Sequence, residues 1–177
     1  GAIYHIMSHD NGFQWIYKNT NHLNIFINVL ISVIQKYKVK IHAVVIMRNH
    51  YHILLELTET NLSKAMKKLN SDFARIYNKE SERKGSVIRD RYKSILIQND
   101  KYYFNVLRYI CQNPLRKQLC SKCEEYEGSY LNWLEKGFTE NLFCFDRIKE
   151  KFRNNDWKES FYNWINEKNN DFRFNRF

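Results

Sequence analysis

The chain has 177 residues, of which 44% are hydrophobic and 16% aromatic, which excludes a disordered polypeptide and allows one domain with a sizeable core plus a short extension. No apolar stretch is long and charge-free enough to cross a bilayer; residues 23–34 come nearest and carry two asparagines. The formal charge of +10 is segregated, since residues 1–120 hold 19 Lys and Arg against 8 Asp and Glu while residues 121–177 hold 10 against 11. That asymmetry points to a polyanionic partner, most simply nucleic acid.

In chain order, Ala2–His9 reads as a first strand, stopped by the turn signal Asp10-Asn11-Gly12. Thr20-Asn21 caps a helix to about Tyr37, with Leu23, Phe26, Ile27, Leu30, Ile34 and Tyr37 on one face. Val39–Met47 and His50–Leu57 read as a hairpin joined at Arg48-Asn49. Asn61-Leu62-Ser63 opens a second helix with an apolar stripe at Leu62, Met66, Leu69, Phe73, Ile76 and Tyr77. A polar loop from Lys79 to Arg89 leads to a fourth strand, Arg91–Gln98. A third helix runs from about Asn99 to Asn113, and Pro114, the only proline, is expected to end it.

This order predicts an α+β fold, a ferredoxin-like split βαβ sandwich with an antiparallel sheet and two helices on one face, to which a further helix is added. The second sheet face then needs a cover, a ligand or a partner. Beyond residue 120 the chain turns aromatic and near neutral. Phe145, Ile148, Phe152, Trp157, Phe161, Trp164 and Ile165 recur at helical spacing. We expect residues 1–120 to form the core and residues 121–177 a helical extension packed on it.

Two features carry chemistry. His50 and His52 lie two apart on a strand, so both imidazoles project from one face, a pattern suited to a divalent metal. Two histidines hydrogen-bonded to their neighbours on a half-exposed strand would read the same way. On the third helix, Tyr109 lies at the margin of the core stripe Tyr103, Val106, Leu107 and Ile110, with Asn113 one turn above it. Spacing alone would leave Tyr109 an amphipathic boundary residue. Of the cysteines, Cys120 and Cys123 have zinc-knuckle spacing without a second matching pair, so reduced thiols of a cytosolic protein are expected. No signal peptide is expected, and the start at Gly1-Ala2 without Met suggests a trimmed terminus.

The chain resembles the single-tyrosine HUH transposases, specifically the REP-associated tyrosine transposases. Three blocks carry the resemblance over about residues 1–135: Gly1–Ser8, Ala43–Glu56 with its His50-Tyr51-His52, and Gly85–Pro114 with Arg91-Tyr92-Lys93-Ser94 and Arg108–Pro114. Arg48, Cys111 and His9 depart from the proline, histidine and arginine common at those places.

The resemblance implies a bacterial, cytoplasmic enzyme that acts on single-stranded DNA next to a short hairpin. By similarity His50, His52 and Asn113 hold Mg2+ or Mn2+, and Tyr109 attacks the scissile phosphate to give a 5′-phosphotyrosyl link. Lys64, Lys67, Lys68 and Arg75 form a basic stripe beside Ser71 on the second helix, and Lys84, Arg89, Arg91 and Lys93 add charge around the following loop and strand. These residues are expected to track DNA phosphates. Alternatives are a non-catalytic nucleic-acid-binding module with an RNA-recognition-like sheet, a domesticated HUH nuclease, or a replication initiator or relaxase. The tail after residue 120 could cover the surface used by dimers, so a monomer is expected rather than a homodimer.

Overall fold

The structure is a computed structural model and describes residues 1–10, 12, 16–59, 61–88, 91–137, 140–153 and 156–168. Four strands, β1 (Ala2–His9), β2 (Lys40–Ile46), β3 (His50–Leu57) and β4 (Lys93–Leu96), form one antiparallel sheet in the order β2-β3-β1-β4. With α1 (Thr20–Tyr37) between β1 and β2, and α2 (Leu62–Glu80) between β3 and β4, this is the split βαβ arrangement. Strand β4 is half the length expected. The first helix is capped by Asn19, whose side chain accepts from the His22 amide, rather than by Thr20 or Asn21. Asn61 caps α2 through the Ser63 amide, as its position suggests.

Strand register sets which residues share a face. Met7 stands opposite His52 and His9 opposite His50, so His5, Met7 and His9 lie on the histidine face of the sheet. Ile6 stands opposite Ile53 and Ser8 opposite Tyr51, and these line the other face. That second face is covered by α1 and α2: the Tyr51 ring lies 5.2 Å from Phe26, and its hydroxyl donates to Asn70 Oδ1 at 2.7 Å.

The histidine face is covered by α3 (Asp100–Arg116), whose Tyr103, Val106, Leu107 and Ile110 are fully buried. Pro114 does not end this helix, which continues one turn through it to Arg116. Pro114 has no N–H to donate to the Ile110 carbonyl, so that helical hydrogen bond is missing. The end is then closed by a Schellman motif: Leu119 N donates to Pro114 O at 3.0 Å and Gln118 N to Leu115 O at 2.9 Å, with Gln118 left-handed at φ 57°.

The remaining helices are α4 (Tyr130–Glu135), α5 (Asp146–Lys151) and α6 (Trp157–Asn166). Residues of this extension satisfy the outer edge of β2, where Ile46 N donates to Gly128 O at 2.8 Å and Cys144 N to Ile41 O at 2.7 Å. A β-carbon at Gly128 would sit 2.1 Å from the Ile46 carbonyl oxygen, so that approach requires glycine. Phe161 and Ile165 bury the apolar face of α6, and Gln112 of α3 donates to the Ile165 and Glu167 carbonyls at 2.7 and 2.9 Å. All four cysteines are free. Among the described residues no helix is long and apolar enough to cross a membrane.

Candidate active site

The β2–β3 turn sets the first half of the site. Met47 N donates to His50 O at 2.7 Å, which closes the hairpin around Arg48-Asn49 and starts β3 at His50. The His50 and His52 rings then stand 5.1 Å apart on one face. The second half comes from α3. Tyr109 meets His52 edge-on with ring centroids 5.5 Å apart, and the Asn113 amide nitrogen lies 3.3 Å from His52 Nε2. The two features that the sequence leaves unconnected are therefore neighbours within a single chain.

Second contacts fix the imidazoles. His52 Nδ1 lies 3.0 Å from His5 Nε2, and His50 Nδ1 lies 2.7 Å from Asn49 Oδ1. The carboxamide oxygen of Asn49 only accepts, so His50 carries its proton on Nδ1 and keeps a lone pair on Nε2. Donation from the Asn113 amide to His52 Nε2 requires the same tautomer there, with Nδ1–H donating to His5. Burial lowers His50 and His5 to a pKa of about 4 and holds His52 well below the ordinary value; on His52 the neighbouring rings of His5, His50 and His9 add to that effect. The rings are neutral at pH 7, the state a metal ligand needs.

The Asn113 oxygen is buried and accepts no hydrogen bond. An orphaned acceptor beside two imidazoles with Nε2 lone pairs is a donor set that fits a divalent ion. Among the described residues no three His, Cys, Asp or Glu side chains are arranged to hold a metal; the carboxamide oxygen of Asn113 stands beside the two imidazoles as a further donor.

The Tyr109 phenol is pushed up by burial, while the Arg116 guanidinium and the hydrogen bond from Asn113 act in the opposite direction. Arg116 lies with its guanidinium carbon 5.6 Å from the Tyr109 ring centroid. Lys117 adds positive potential at His50.

The basic residues divide between the two sheet faces. Lys93 pairs with Met7 in register and so lies on the histidine face, at the β4 edge. Lys64, Lys67, Lys68 and Arg75 lie on α2, behind the sheet. Lys64, Lys67 and Arg75 are exposed; Lys68 is ion-paired with Asp72, which also lies 3.9 Å from Arg75. Lys67 and Arg91 line a cleft of about 700 Å3 together with Met66, Asn70, Ile88 and Tyr92, between α2 and the segment entering β4. Lys84 is exposed in the preceding loop, and Arg89 lies outside the described residues.

Three neighbours of the site escape the sequence reading: His5, Asn49 and Arg116. For His5 a signal exists, because His5 and His9 recur at even spacing in a strand that pairs with His50–Leu57. For Arg116 the signal was masked by the assumption that Pro114 stops the helix.

A family model described as IS200-like transposase matches residues 2–113. Among solved structures, the chain is similar to a REP-associated tyrosine transposase bound to a REP hairpin, with a TM-score of 0.63, 16% identity, and coverage of 82% of this chain and 84% of that one. A candidate transposase from Deinococcus radiodurans R1 matches with a TM-score of 0.46, 15% identity, and coverage of 61% of this chain and 87% of that one. No curated protein matches the chain.

Proposed function

The chain belongs to the family of IS200-like transposases, and we propose that it cuts and rejoins single-stranded DNA through a covalent intermediate on Tyr109. The observation that carries this reading is the approach of Tyr109 to within 5.5 Å of His52, with Asn113 against the same imidazole. A half-buried tyrosine serving only to pack would not need two neutral histidines and an orphaned carboxamide oxygen beside it.

In the cleavage step the Tyr109 hydroxyl oxygen attacks the scissile phosphorus while the bond to the 3′-oxygen breaks. The electron pair stays on the 3′-oxygen, which takes up a proton to become a free hydroxyl, and the phenol proton leaves to water. The 5′-phosphate remains esterified to Tyr109, so the energy of the phosphodiester is kept for rejoining. Attack by a DNA 3′-hydroxyl reverses the sequence. His50, His52 and Asn113 would hold Mg2+ or Mn2+. A divalent ion bound there supplies Lewis-acid polarisation of a phosphate oxygen. His5 and Asn49 set the tautomers that present Nε2, and Asn113 also hydrogen-bonds the phenol that reacts.

The substrate reading follows from charge and fold. A structural neighbour is described with a REP hairpin, and we extend hairpin-bearing single-stranded DNA to this chain. DNA that reaches both Tyr109 and the exposed Lys64, Lys67 and Arg75 has a route around the edge strand β4, where Lys93 stands. Tyr92 in the cleft offers a ring on which an unpaired base could stack.

The test is incubation with a library of hairpin oligonucleotides carrying randomised single-stranded flanks, in Mg2+ or Mn2+. A denaturant-resistant protein–DNA adduct is expected, absent with chelator and absent in Tyr109→Phe, while hairpin binding persists in that variant. An adduct of undiminished yield in Tyr109→Phe would refute the assignment of the nucleophile.

A further inference from the structure

We infer that Arg116 is a further catalytic residue, a guanidinium that holds the scissile phosphate beside Tyr109, and that Gln112, anchored by α6, is the residue that positions it. This inference rests on the transesterification proposed above.

The placement comes from helix geometry. Tyr109, Asn113 and Arg116 stand at i, i+4 and i+7 on α3, which puts Arg116 on the same stripe as the two residues that meet His52. Arg116 belongs to that stripe only because the helix runs on past Pro114. Its guanidinium carbon is 5.6 Å from the Tyr109 ring centroid, and the residue is exposed, so the head can reach a ligand arriving from solvent. The phosphorus under attack lies one bond beyond the phenol oxygen. The transition state spreads negative charge over its non-bridging oxygens, which a planar fork of N–H donors matches.

The orientation of Arg116 is held from behind. Gln112 is 2% exposed, and its amide nitrogen donates to the Ile165 and Glu167 carbonyls at 2.7 and 2.9 Å. Carbonyls only accept, so the Gln112 amide cannot be reversed and its oxygen must face the other way. That oxygen accepts from Arg116 Nη2 at 3.4 Å. The end of α6 is thereby linked through two side chains to the nucleophile. This gives the C-terminal extension a part in the chemistry besides covering the β2 edge.

The alternative is that Arg116 stacks on Tyr109 only as a surface clamp. Single-turnover adduct formation on the selected hairpin oligonucleotide separates the two. Arg116→Ala should lower the maximal rate about 100-fold, the scale for loss of one transition-state donor, with the half-saturating DNA concentration changed less than about threefold. Millimolar guanidinium should restore part of the rate in Arg116→Ala and none in Tyr109→Phe. Gln112→Leu should slow the wild type about tenfold but add nothing on the Arg116→Ala background, as expected for residues acting in series. Either an Arg116→Ala rate equal to wild type, or a loss confined to the half-saturating concentration, overturns the inference and leaves the Tyr109 reading intact. Failure of the wild type itself to form an adduct overturns both.

Discussion

His52 on β3 is held between His5 on β1 and Asn113 on α3, with His5 Nε2 at 3.0 Å from its Nδ1 and the Asn113 amide at 3.3 Å from its Nε2. One imidazole therefore ties the sheet to the helix that bears Tyr109. Its chemistry should be read out by metal binding. Mn2+ titrated into the wild type and followed by calorimetry should bind at one site, and His52→Ala and Asn113→Ala should abolish that binding. His5→Ala, which loses only the partner that sets the tautomer, should weaken it roughly 10- to 100-fold. Equal affinity in wild type and His52→Ala would place the ion elsewhere.

The buried histidines make stability depend on pH. Burial holds His5, His42 and His50 near a pKa of about 4, against 6.5 when solvated, and His52 is lowered as well. The unfolded chain takes up protons below about pH 6.5, while the folded chain resists until about pH 4. Stability is then fully present above pH 6.5 and declines as the pH falls from there toward 4. The melting temperature at pH 5 should lie at least about 5 °C below that at pH 7.5. A flat profile across this range would mean that these rings are not buried neutral.

The seam between β2 and the extension rests on Gly128, whose missing side chain lets its backbone reach Ile46. Gly128→Ala forces the two backbones apart and should cost on the order of 1–3 kcal/mol, seen as a lower midpoint in urea unfolding. A midpoint equal to wild type would show that the extension does not depend on this contact.

Both halves of the site come from one chain. A mixture of Tyr109→Phe and His52→Ala proteins should therefore form no adduct at any ratio. Recovery of activity on mixing would show that the tyrosine helix can serve the histidines of a second molecule.

The core strands and helices were legible because their apolar positions recur with period 2 or 3.6. β1 and β3 begin and end where the sequence places them, and of the stripe Leu62, Met66, Leu69, Phe73, Ile76 and Tyr77 expected on α2 all but Leu62 and Ile76 are buried, with Ala65 joining them. The end of α3 was misread because the steric rule for Pro114 says what a proline disfavours and not what a Schellman closure can offset. Arg116 was lost with it. Helix periodicity also assigned a basic face to α2 without saying that α2 lies behind the sheet, away from His50 and His52. The His5–His52 and Gln112–Ile165 contacts join distant segments, and no local pattern encodes such pairs.

The most direct measurement is the site of covalent attachment. After reaction with hairpin DNA, nuclease trimming and tryptic digestion, mass spectrometry should find the residual 5′-phosphonucleotide on Tyr109 in the peptide from Tyr109 to Arg116. Attachment to any other residue, such as Tyr92 or Tyr102, or a reaction that cuts DNA and leaves every tyrosine unmodified, would contradict the account.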